Sequence, residues 1–560
     1  MKDQIIESLA RKLEGKLDSV EIDNLLEIPP SENLGDFAFP CFRLAKAFRK
    51  NPAQIALELK AQLEKELSGM RIEATSGYLN FFVDKKELAG KLLNQAPHED
   101  FGRLGIDQKI VIEFASPNTN KPLHLGHLRN MSVGDSVARI LSFCGCSVVR
   151  TSINNDRGVH ICKSMLAYKR LGEGKTPEST GVKSDHFVGD YYVLFNTKAK
   201  EDPSWNQTAQ EMLRKWESGD EETVQLWKQM NGWAFDGFRK TYGLFGIKFD
   251  KEYYESNIYK SGKEIVQEGL NKGIFQKRED NAVFVNLGEE KLGEKVLLRP
   301  DGTSVYIVQD LYLALLKEQD YSYDRSIYVV GNEQDYHFAV LIAIFRKLGY
   351  DIAGKMKHLS YGMVELPEGK MKSREGTVVD ADDLIGETQN LARQEVQARY
   401  QLNDKEAEER SLKIALAAIK YQLLKIDITK NMVFDPKKAI SFEGDTGPYL
   451  LYSYARSSSI LRKAPAPETF TVPELEQSEI RLVKKIDFFP SAVNYAYERL
   501  SPSVIANYAF DLAQVFNEFY HSCQVIGSEQ QNFRLHLVVS FRSVLKKCLD
   551  LLGIETIEEM

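Results

Sequence analysis

Two histidines separated by a leucine and a glycine form the most distinctive chemical motif of the sequence, His124-Leu125-Gly126-His127. The motif lies between the strand-like run KIVIEF and an amphipathic run of helical period. Backbone N–H groups at the start of a helix attract phosphate, and imidazoles placed there can donate to phosphate oxygens as negative charge develops. Gly126 would let a nucleotide approach the backbone closely. The motif therefore predicts chemistry at a phosphorus atom, with surface histidines in a loop as the alternative.

A second candidate is a glycine-bounded loop between Gly369 and Gly376 that carries three cations, Lys370, Lys372 and Arg374. Three cations within five residues can fold over a triphosphate and stabilise departing pyrophosphate. A charged loop by itself is commonly only solvated, so this interpretation depends on the histidine motif upstream. Together the two segments predict an enzyme that forms adenylates.

The elements that must position these residues indicate a doubly wound parallel sheet. KIVIEF, the helical run closed by Gly145 and the strand-like SVVRTSIN form a strand–helix–strand unit of the usual length, about 30 residues. Strand character returns at KVLLRPDGTSVYIVQDL and at RSIYVVG. The predicted fold class is a multidomain α/β and all-α protein, with a Rossmann-like catalytic domain.

A chain of 560 residues is too long for one ordinary core, and we expect three or four domains. The sequence predicts an N-terminal α/β domain over 1–100 and a catalytic domain over 101–380, with a polar, mainly helical insertion at about 171–291. A helical connector over 381–440 and a helical bundle over 441–560 complete the prediction.

The composition predicts a soluble, cytoplasmic protein. Hydrophobic residues make up 43% and charged residues 27%, and neither a signal peptide nor an apolar run of membrane-spanning length is evident. The net charge of -7 argues against nucleic-acid binding through bulk charge. Six cysteines without CxxC spacing predict no structural metal. Cys144, Cys146 and Cys162 with His160 are a possible ligand set, but small buried residues are the favoured interpretation.

The two motifs together resemble class I aminoacyl-tRNA synthetases, which pair an HLGH-type motif with a later KMSKS-type loop. Longer strings resemble the arginyl family and cover almost the whole chain. They are Glu113-Phe114-Ala115-Ser116-Pro117-Asn118 leading through Lys121-Pro122 to HLGHLRN, Asp301-Gly302-Thr303 with Tyr306 and Asp310, Gln334 with His337-Phe338, Gly447-Pro448-Tyr449 with Tyr454-Ala455-Arg456, and Leu552-Gly553-Ile554 with Met560.

The resemblance implies the following site residues. Those predicted to promote catalysis are His124, His127, Lys370, Lys372 and Arg374. Those predicted to bind ATP are Pro117, His124, Gly126, His127, Lys370, Met371, Lys372 and Ser373. Those predicted to bind arginine are Glu113, Ser116, Asn118, His127, Tyr306, Asp310 and Gln334. Of the last set, Tyr306 and Asp310 are expected to contact the side chain, while Asn118 and Gln334 hold the α-amino and carboxylate groups.

A guanidinium is planar, permanently charged and rich in donors, so a selective pocket should offer carboxylates at defined angles. Glu113, at the end of the first strand, and Asp310 could converge at the carboxyl edge of the sheet. A lysine would leave such acceptors unpaired and be rejected. A structural role for Glu113 remains open, taken singly Tyr306 and Gln334 would be core or surface residues, and we interpret His337 as structural.

The cationic loop departs from the family pattern, because Ser373 occupies the position of the second lysine of KMSKS. Lys372 and Arg374 flank this position, so which cation contacts pyrophosphate stays open. The resemblance implies that the arginine carboxylate attacks the α-phosphorus of ATP, which enters with Mg²⁺, and that the 2'-hydroxyl of the terminal adenosine then takes the acyl group. It also implies that activation waits for bound tRNA(Arg).

The C-terminal region resembles a DALR-type anticodon-binding bundle, and the N-terminal domain resembles the additional domain that contacts tRNA. From Phe442 onward there are 11 Lys or Arg and 15 Asp or Glu, so stacking on unpaired bases is the expected mode of binding. The candidates for tRNA contact are Tyr449, Tyr454, Arg456, Phe519 and Tyr520, although most aromatic residues there should be core. We expect a monomer.

Two other functions remain open. One is an adenylate-forming ligase that joins two small molecules, for which exchange of pyrophosphate would not need tRNA. The other is a catalytically silent protein that binds tRNA, against which the intact His124, His127, Glu113 and Asp310 argue.

Overall fold

The computed structural model describes residues 2–67, 69–367 and 379–560. Its contacts divide the chain into two compact units. Unit 1 consists of residues 1–101, 459–488 and 514–544, and unit 2 consists of residues 102–458, 489–513 and 545–560.

The N-terminal part of unit 1 is a small α/β fold. Its elements are α1 (Lys2–Lys12), α2 (Ser19–Leu25), β1 (Phe37–Pro40), α3 (Leu44–Phe48), α4 (Pro52–Leu63), β2 (Met70–Thr75), β3 (Tyr78–Val83) and α5 (Lys85–Gln95). The strands form an antiparallel sheet of order β1-β3-β2. Helix α4 begins at Pro52, where Asn51 accepts a hydrogen bond from Ala53 N and caps it. Leu9, Phe39 and Phe81 are fully buried in the core between the helices and the sheet.

The part of unit 2 between residues 102 and 440 alternates strands and helices. Its elements are β4 (Lys109–Glu113), α6 (Leu125–Phe143), β5 (Ser147–Asn154), α7 (Val159–Leu171), α8 (Pro177–Thr180), α9 (Ser184–Glu201), α10 (Ser204–Glu217), α11 (Glu221–Phe245), β6 (Lys251–Tyr254), α12 (Glu255–Ile258), α13 (Lys263–Asn271), β7 (Phe275–Lys277), β8 (Val283–Leu287), β9 (Gly293–Leu298), α14 (Tyr306–Tyr321), β10 (Arg325–Gly331), α15 (Asp335–Leu348), α16 (Ile352–Lys355), β11 (Met356–Tyr361), β12 (Val364–Glu365), α17 (Ala381–Arg399), α18 (Asp404–Leu424), β13 (Met432–Val433) and α19 (Pro436–Ala439).

Five strands form the central sheet, in the order β11-β10-β4-β5-β6 with every pair parallel. When these five strands are numbered by their sequence in the chain, their spatial order is 5-4-1-2-3. This is the order of a doubly wound Rossmann-like sheet, and it confirms the predicted fold class. The order reverses between β4 and β10, and such a switch point opens a crevice for ligands at the carboxyl ends of the strands. Glu113 is the last residue of β4 and therefore lies at this crevice.

Two details of the sequence prediction need correction. The stretch 171–291, predicted as a mainly helical insertion, contains β6, which pairs with β5 in the central sheet, and also β7 and β8. The helical insertion is confined to α8–α11. The run SVYIVQDL, predicted as strand, forms the start of α14. Short apolar runs cannot be assigned to strand or helix by periodicity alone. Ile307, Val308 and Leu311 of this run are buried in a core cluster that also contains residues of β8.

The C-terminal region is helical, as predicted. Its elements are α20 (Gly447–Lys463), α21 (Gln477–Asp487), α22 (Phe489–Arg499), α23 (Pro502–Ser522) and α24 (Gln531–Leu551). Helices α20, α23 and α24 contribute residues to both units. Across the described ranges, none of the helices has the length and apolar character needed to span a membrane.

Candidate active site

The histidine motif forms a reciprocal cap at the N-terminus of α6. His124 is the cap residue, and its Nδ1 accepts a hydrogen bond from Gly126 N at 3.1 Å. His127 Nδ1 accepts one from His124 N, also at 3.1 Å, and the two ring centroids are 4.0 Å apart. Each imidazole therefore satisfies a backbone N–H that the first turn of a helix would leave unpaired.

Both imidazoles are neutral near pH 7. Burial, together with the positive charge of Lys121, lowers the pKa of His124 to about 4. Burial also lowers the pKa of His127 well below its ordinary value, and the neighbouring His124 and Lys121 add to the shift. Because both Nδ1 atoms accept hydrogen bonds, each ring carries its proton on Nε2. The motif thus presents two neutral N–H donors at a helix N-terminus, which suits binding of phosphate oxygens.

Gly126 serves a purpose that sequence reasoning did not assign. A Cβ atom at this position would lie 2.9 Å from His124 Cε1 and 3.0 Å from its Nδ1. The absence of a side chain is therefore what allows the His124 ring to fold back over the helix terminus.

A strained turn directly follows β4, upstream of the motif. Ala115 and Ser116 both adopt left-handed backbone conformations, with φ of 71° and 47°. Non-glycine residues occupy this region at an energetic cost, so the surrounding structure must hold them there. Asn130 of α6 does so, since its Oδ1 accepts from Ala115 N at 2.5 Å and its Nδ2 donates to Val329 O at 2.8 Å. Ser152 Oγ accepts from Ser116 N at 3.3 Å.

The segment that follows the cationic loop is paired with the histidine motif. His124 and Asp380 form an antiparallel bridge, Leu125 N donates to Val379 O at 3.1 Å, and Ala381 N donates to Leu123 O at 3.0 Å. Lys121, His124, His186 and Asp380 line a cavity beside this bridge. The predicted loop residues Lys370, Met371, Lys372, Ser373 and Arg374 lie outside the described residues.

A charged cluster holds the start of α17 against the insertion helices. Asp382 Oδ2 accepts from Lys183 Nζ at 2.6 Å and lies 3.0 Å from His186 Nε2, while Asp382 Oδ1 accepts from Thr241 at 3.0 Å. Hydrogen bonds to Asp380 and Asp382 raise the pKa of His186 to about 10. Burial opposes ionisation of Asp382, but the bonds from His186 and Lys183 hold its pKa at about 2.

This cluster has the donor atoms of a metal site, since Asp185, His186 and Asp382 bring their ligand atoms within 4.8 Å of one another. The Lys183 ammonium nevertheless occupies the same place, bonding both Asp185 and Asp382. With that cation and a protonated His186 present, the carboxylates are already neutralised, so these residues do not fit a metal ion.

The first predicted arginine ligand, Glu113, has a cationic partner that sequence reasoning missed. Glu113 is 6% exposed, and its Oε2 accepts a hydrogen bond from Lys317 Nζ at 2.5 Å. Lys317, on α14, is fully buried and lies 4.4 Å from the ring centroid of Tyr328. Tyr328 neighbours Glu113 in the register of β10 and β4.

Asp310, the second predicted carboxylate, lies nearer the surface, with its side chain 41% exposed. Its Oδ2 is 2.6 Å from His337 Nε2, so His337 holds a candidate binding residue in place and is not merely part of the core. Tyr306 occupies the first turn of α14 one turn before Asp310, and Gln334 precedes α15; both are exposed.

Glu255 is a further carboxylate near this site that the sequence did not single out. It begins α12 and is buried, with one oxygen 3.8 Å from Arg157 Nη1. Burial raises its pKa to about 7; Arg157 opposes the shift, and the negative charges of Asp156 and Asp310 add to it. A buried carboxyl group with a raised pKa near a second carboxylate is typical of a functional site. Neither a motif nor a spacing in the sequence identifies it, because it approaches Asp310 only through packing of α12 on α14.

The predicted tRNA contacts fall into two groups. Tyr454 is 1% exposed with its hydroxyl bonded to Glu558, and Phe519 is fully buried, so neither ring is available to stack on a base and these two predictions need correction. Tyr449 and Arg456 are partly exposed, and Tyr520 is 39% exposed. Helical period alone does not separate buried from outward-facing aromatic residues in a bundle.

The catalytic part of the chain matches a known protein family. Residues 91–436 match the family described as tRNA synthetases class I (R), catalytic domain. The parallel sheet with its switch point and the HLGH cap on α6 agree with that match. The fold and the site thus define a class I aminoacyl-tRNA synthetase.

The remaining matches cover both ends of the chain. Residues 1–83 match the arginyl tRNA synthetase N terminal domain, and residues 450–560 match the DALR anticodon binding domain. An arginine–tRNA ligase from Treponema denticola is 45% identical, over 96% of this chain and 94% of the relative. One from Bacteroides thetaiotaomicron is also 45% identical, over 94% of each chain. The solved arginyl-tRNA synthetase of Thermus thermophilus has a TM-score of 0.87 and 27% identity, over 100% of both chains.

These matches confirm the resemblance inferred from the sequence. The chain belongs to the arginyl-tRNA synthetase family, whose members are ATP-using arginine–tRNA ligases.

Proposed function

We propose that this chain activates L-arginine with ATP to give arginyl-adenylate and pyrophosphate, and then transfers arginine to the 3'-terminal adenosine of tRNA(Arg). Its membership of the arginyl family carries the proposal. The site supports it, because two neutral N–H donors at a helix N-terminus lie at the same sheet edge as candidate carboxylates for a guanidinium.

The first step is attack of the arginine carboxylate on the α-phosphorus, with the P–O bond to pyrophosphate breaking. His124 and His127 stabilise the charge that develops on the phosphate oxygens, donating through Nε2. No side chain needs to act as a nucleophile, so positioning and charge stabilisation account for the rate. Mg²⁺ enters with ATP as part of the substrate.

The cationic loop has Ser373 in place of its second lysine, and Lys121 supplies a further cation at the histidine motif. It lies close enough to His124 and His127 to lower the pKa of both, and it lines the cavity between His124 and Asp380. Burial lowers its own pKa. A desolvated ammonium of this kind gains strongly from an anionic partner such as a polyphosphate. Lys370, Lys372 and Arg374 share this role in the proposal.

Arginine is held between α14 and the end of β4. Asp310 and Tyr306 contact the guanidinium, with Glu113 supplying a second carboxylate. Ser116, Asn118, His127 and Gln334 then hold the α-amino and carboxylate groups, and Pro117 and Gly126 border the ATP site. The strained turn at Ala115 and Ser116 supports this arrangement, since strain of this type concentrates at functional sites.

For tRNA, the exposed candidates are Tyr449, Arg456 and Tyr520, and activation follows tRNA binding.

The proposed domains keep the boundaries of the sequence prediction apart from the insertion, which is restricted to α8–α11. A monomeric, cytoplasmic enzyme completes the proposal; sedimentation would test the first point and fractionation of cells the second.

The test is ATP–pyrophosphate exchange measured with each amino acid, with and without total tRNA. We expect exchange with arginine and a large increase when tRNA is present. Exchange with another amino acid and none with arginine would contradict the proposal. Exchange independent of tRNA would favour a small-molecule ligase, and no exchange under any condition would favour a silent tRNA-binding protein.

A further inference from the structure

The buried pair of Lys317 and Glu113 lies at the switch point of the central sheet. Glu113 ends β4, and Lys317 reaches it from α14. The ammonium is fully buried, and the carboxylate is 6% exposed. Charged groups are almost never buried to this extent unless they are paired, so each of the two depends on the other.

The location of Lys317 on α14 connects this pair to arginine recognition. Tyr306, Asp310 and Lys317 are spaced by four and seven residues, which places them on one face of the helix. Along that face exposure decreases from Tyr306 at 64%, through the Asp310 side chain at 41%, to Lys317 at 0%. The same helix face thus offers a binding carboxylate at its open end and a cation at its buried end.

Among the residues that the structure describes, Lys317 is the cation paired with Glu113. Tyr328 of β10 lies beside Glu113, with its ring 4.4 Å from Lys317 Nζ. Tyr253 of β6 donates its hydroxyl to Asp320 at 2.7 Å. Burial and this hydrogen bond raise the pKa of Tyr253, and the negative charge of Glu113 adds to the shift. Burial raises the pKa of Tyr328, and the negative charges of Glu113 and Asp310 add to the shift.

We propose that Lys317 is a positioning residue for arginine: by bonding Glu113 Oε2 it holds this carboxylate turned so that its Oε1 remains for the substrate. This inference rests on the proposed function. Lys317 offsets the charge of Glu113, and Asp310 supplies the second carboxylate for the guanidinium. Glu113 then acts as a fixed hydrogen-bond acceptor, which adds directional selectivity.

The experiment compares Lys317→Met with the wild type in tRNA-dependent ATP–pyrophosphate exchange. We expect the KM for arginine to rise about 10- to 100-fold, as for loss of a charge-assisted hydrogen bond, while the KM for ATP stays within about twofold. The kcat should stay nearly unchanged. A purely structural role would instead lower kcat and raise both KM values together.

The matched control is Lys355→Met, which removes a cation paired with Glu318, the next residue of α14, at 2.8 Å. It should leave the KM for arginine unchanged. Equal effects of the two variants would overturn the inference while leaving the function intact. A wild type without arginine-dependent exchange would overturn both.

Because Lys317→Met leaves a buried charge unpaired and could unfold the chain, a second comparison uses Glu113→Gln with and without Lys317→Met. Replacing both members of a buried pair is tolerated better than removing one. If Lys317 acts through Glu113, adding Lys317→Met to Glu113→Gln should leave the KM for arginine unchanged. A further rise of tenfold or more would overturn the inference.

Discussion

His124 and His127 are neutral at the pH at which translation occurs, and this governs the chemistry they can perform. A neutral imidazole whose Nδ1 accepts a backbone hydrogen bond can donate only through Nε2. In the proposed reaction the motif therefore acts through directed hydrogen bonds at a helix terminus and not through two full positive charges. This role depends on the orientation of the rings, and Gly126 leaves the space next to the His124 ring free of a side chain.

Gly126→Ala tests this dependence. The added Cβ would lie within about 3 Å of the His124 ring, so the ring must turn away from the helix terminus. We expect the kcat of exchange to fall about 10- to 100-fold, as for a displacement of about 1 Å in a positioned group, with the KM for arginine nearly unchanged. Steady-state exchange kinetics measure both constants. Gly386→Ala is the control, since a Cβ at Gly386 of α17 meets open space; equal losses in both variants would contradict the role given to Gly126.

At the scale of elements, α6 is the structure on which the site depends. Its N-terminus carries the histidine motif, and Asn130 bonds the strained turn after β4 as well as β10. Arg129, fully buried, donates to Met363 O at 3.3 Å and to Lys430 O at 2.8 Å. The helix can perform these functions only if it lies very close to β4. Gly134 permits that approach, because a Cβ there would be 2.3 Å from Phe114 Cγ.

Gly134→Ala should therefore destabilise the protein. The Phe114 ring is fully buried and cannot move without displacing the sheet, so we expect a loss of about 3 kcal/mol in the free energy of unfolding. Denaturant titration measures it. Gly232→Ala in α11 provides the comparison, since nothing lies within 4 Å of a Cβ there and a helical alanine adds up to about 1 kcal/mol. A Gly134→Ala protein as stable as the wild type would show that α6 and β4 can separate without cost.

At the scale of the whole molecule, contacts between segments far apart in the chain hold unit 2 together. Ser136 of α6 donates to Leu551 O at 2.8 Å, across 415 residues. Lys420 of α18 donates to Gly553 O at 2.5 Å. The cluster of Lys183, His186 and Asp382 joins the insertion helices to α17 in the same way.

The cluster gives stability a defined pH dependence. The pKa of His186 is raised from 6.5 to about 10, so its contribution is complete below pH 6.5 and is lost as pH rises through 10. The pKa of Asp382 is lowered from 3.8 to about 2, so its contribution is present above pH 3.8 and is lost as pH falls through 2. His186 and Asp382 therefore both contribute fully to the free energy of unfolding between about pH 4 and pH 6.5.

His186→Gln should lower the free energy of unfolding most at pH 6, by about 1–2 kcal/mol since a ring one quarter exposed is partly screened. The difference from the wild type should shrink as pH approaches 10. Denaturant titrations at pH 6, 8 and 10 measure this trend. His521→Gln, at an exposed position of α23, should show no such trend. A loss for His186→Gln that is constant with pH would mean that the ring acts through packing and not through its charge.

The sequence by itself determined the chemistry, the family and the order of the domains. The HLGH motif and the strand–helix–strand pattern are local signals, because helix caps and apolar periodicity depend on residues a few positions apart. The strings around Glu113 and Tyr306 identify arginine as the amino acid that the family uses.

Only the tertiary structure decided which neighbours those residues acquire. Lys317, Asn130 and Glu255 contribute to the site through contacts across 15 to 204 residues of chain, or through packing of one helix on another, and no short motif encodes such pairs. The same holds for β6, which joins the central sheet from within a helical stretch, and for Tyr454 and Phe519, whose rings are buried. Burial and pairing depend on how the whole chain packs, and they set the charge that each candidate residue offers to a substrate.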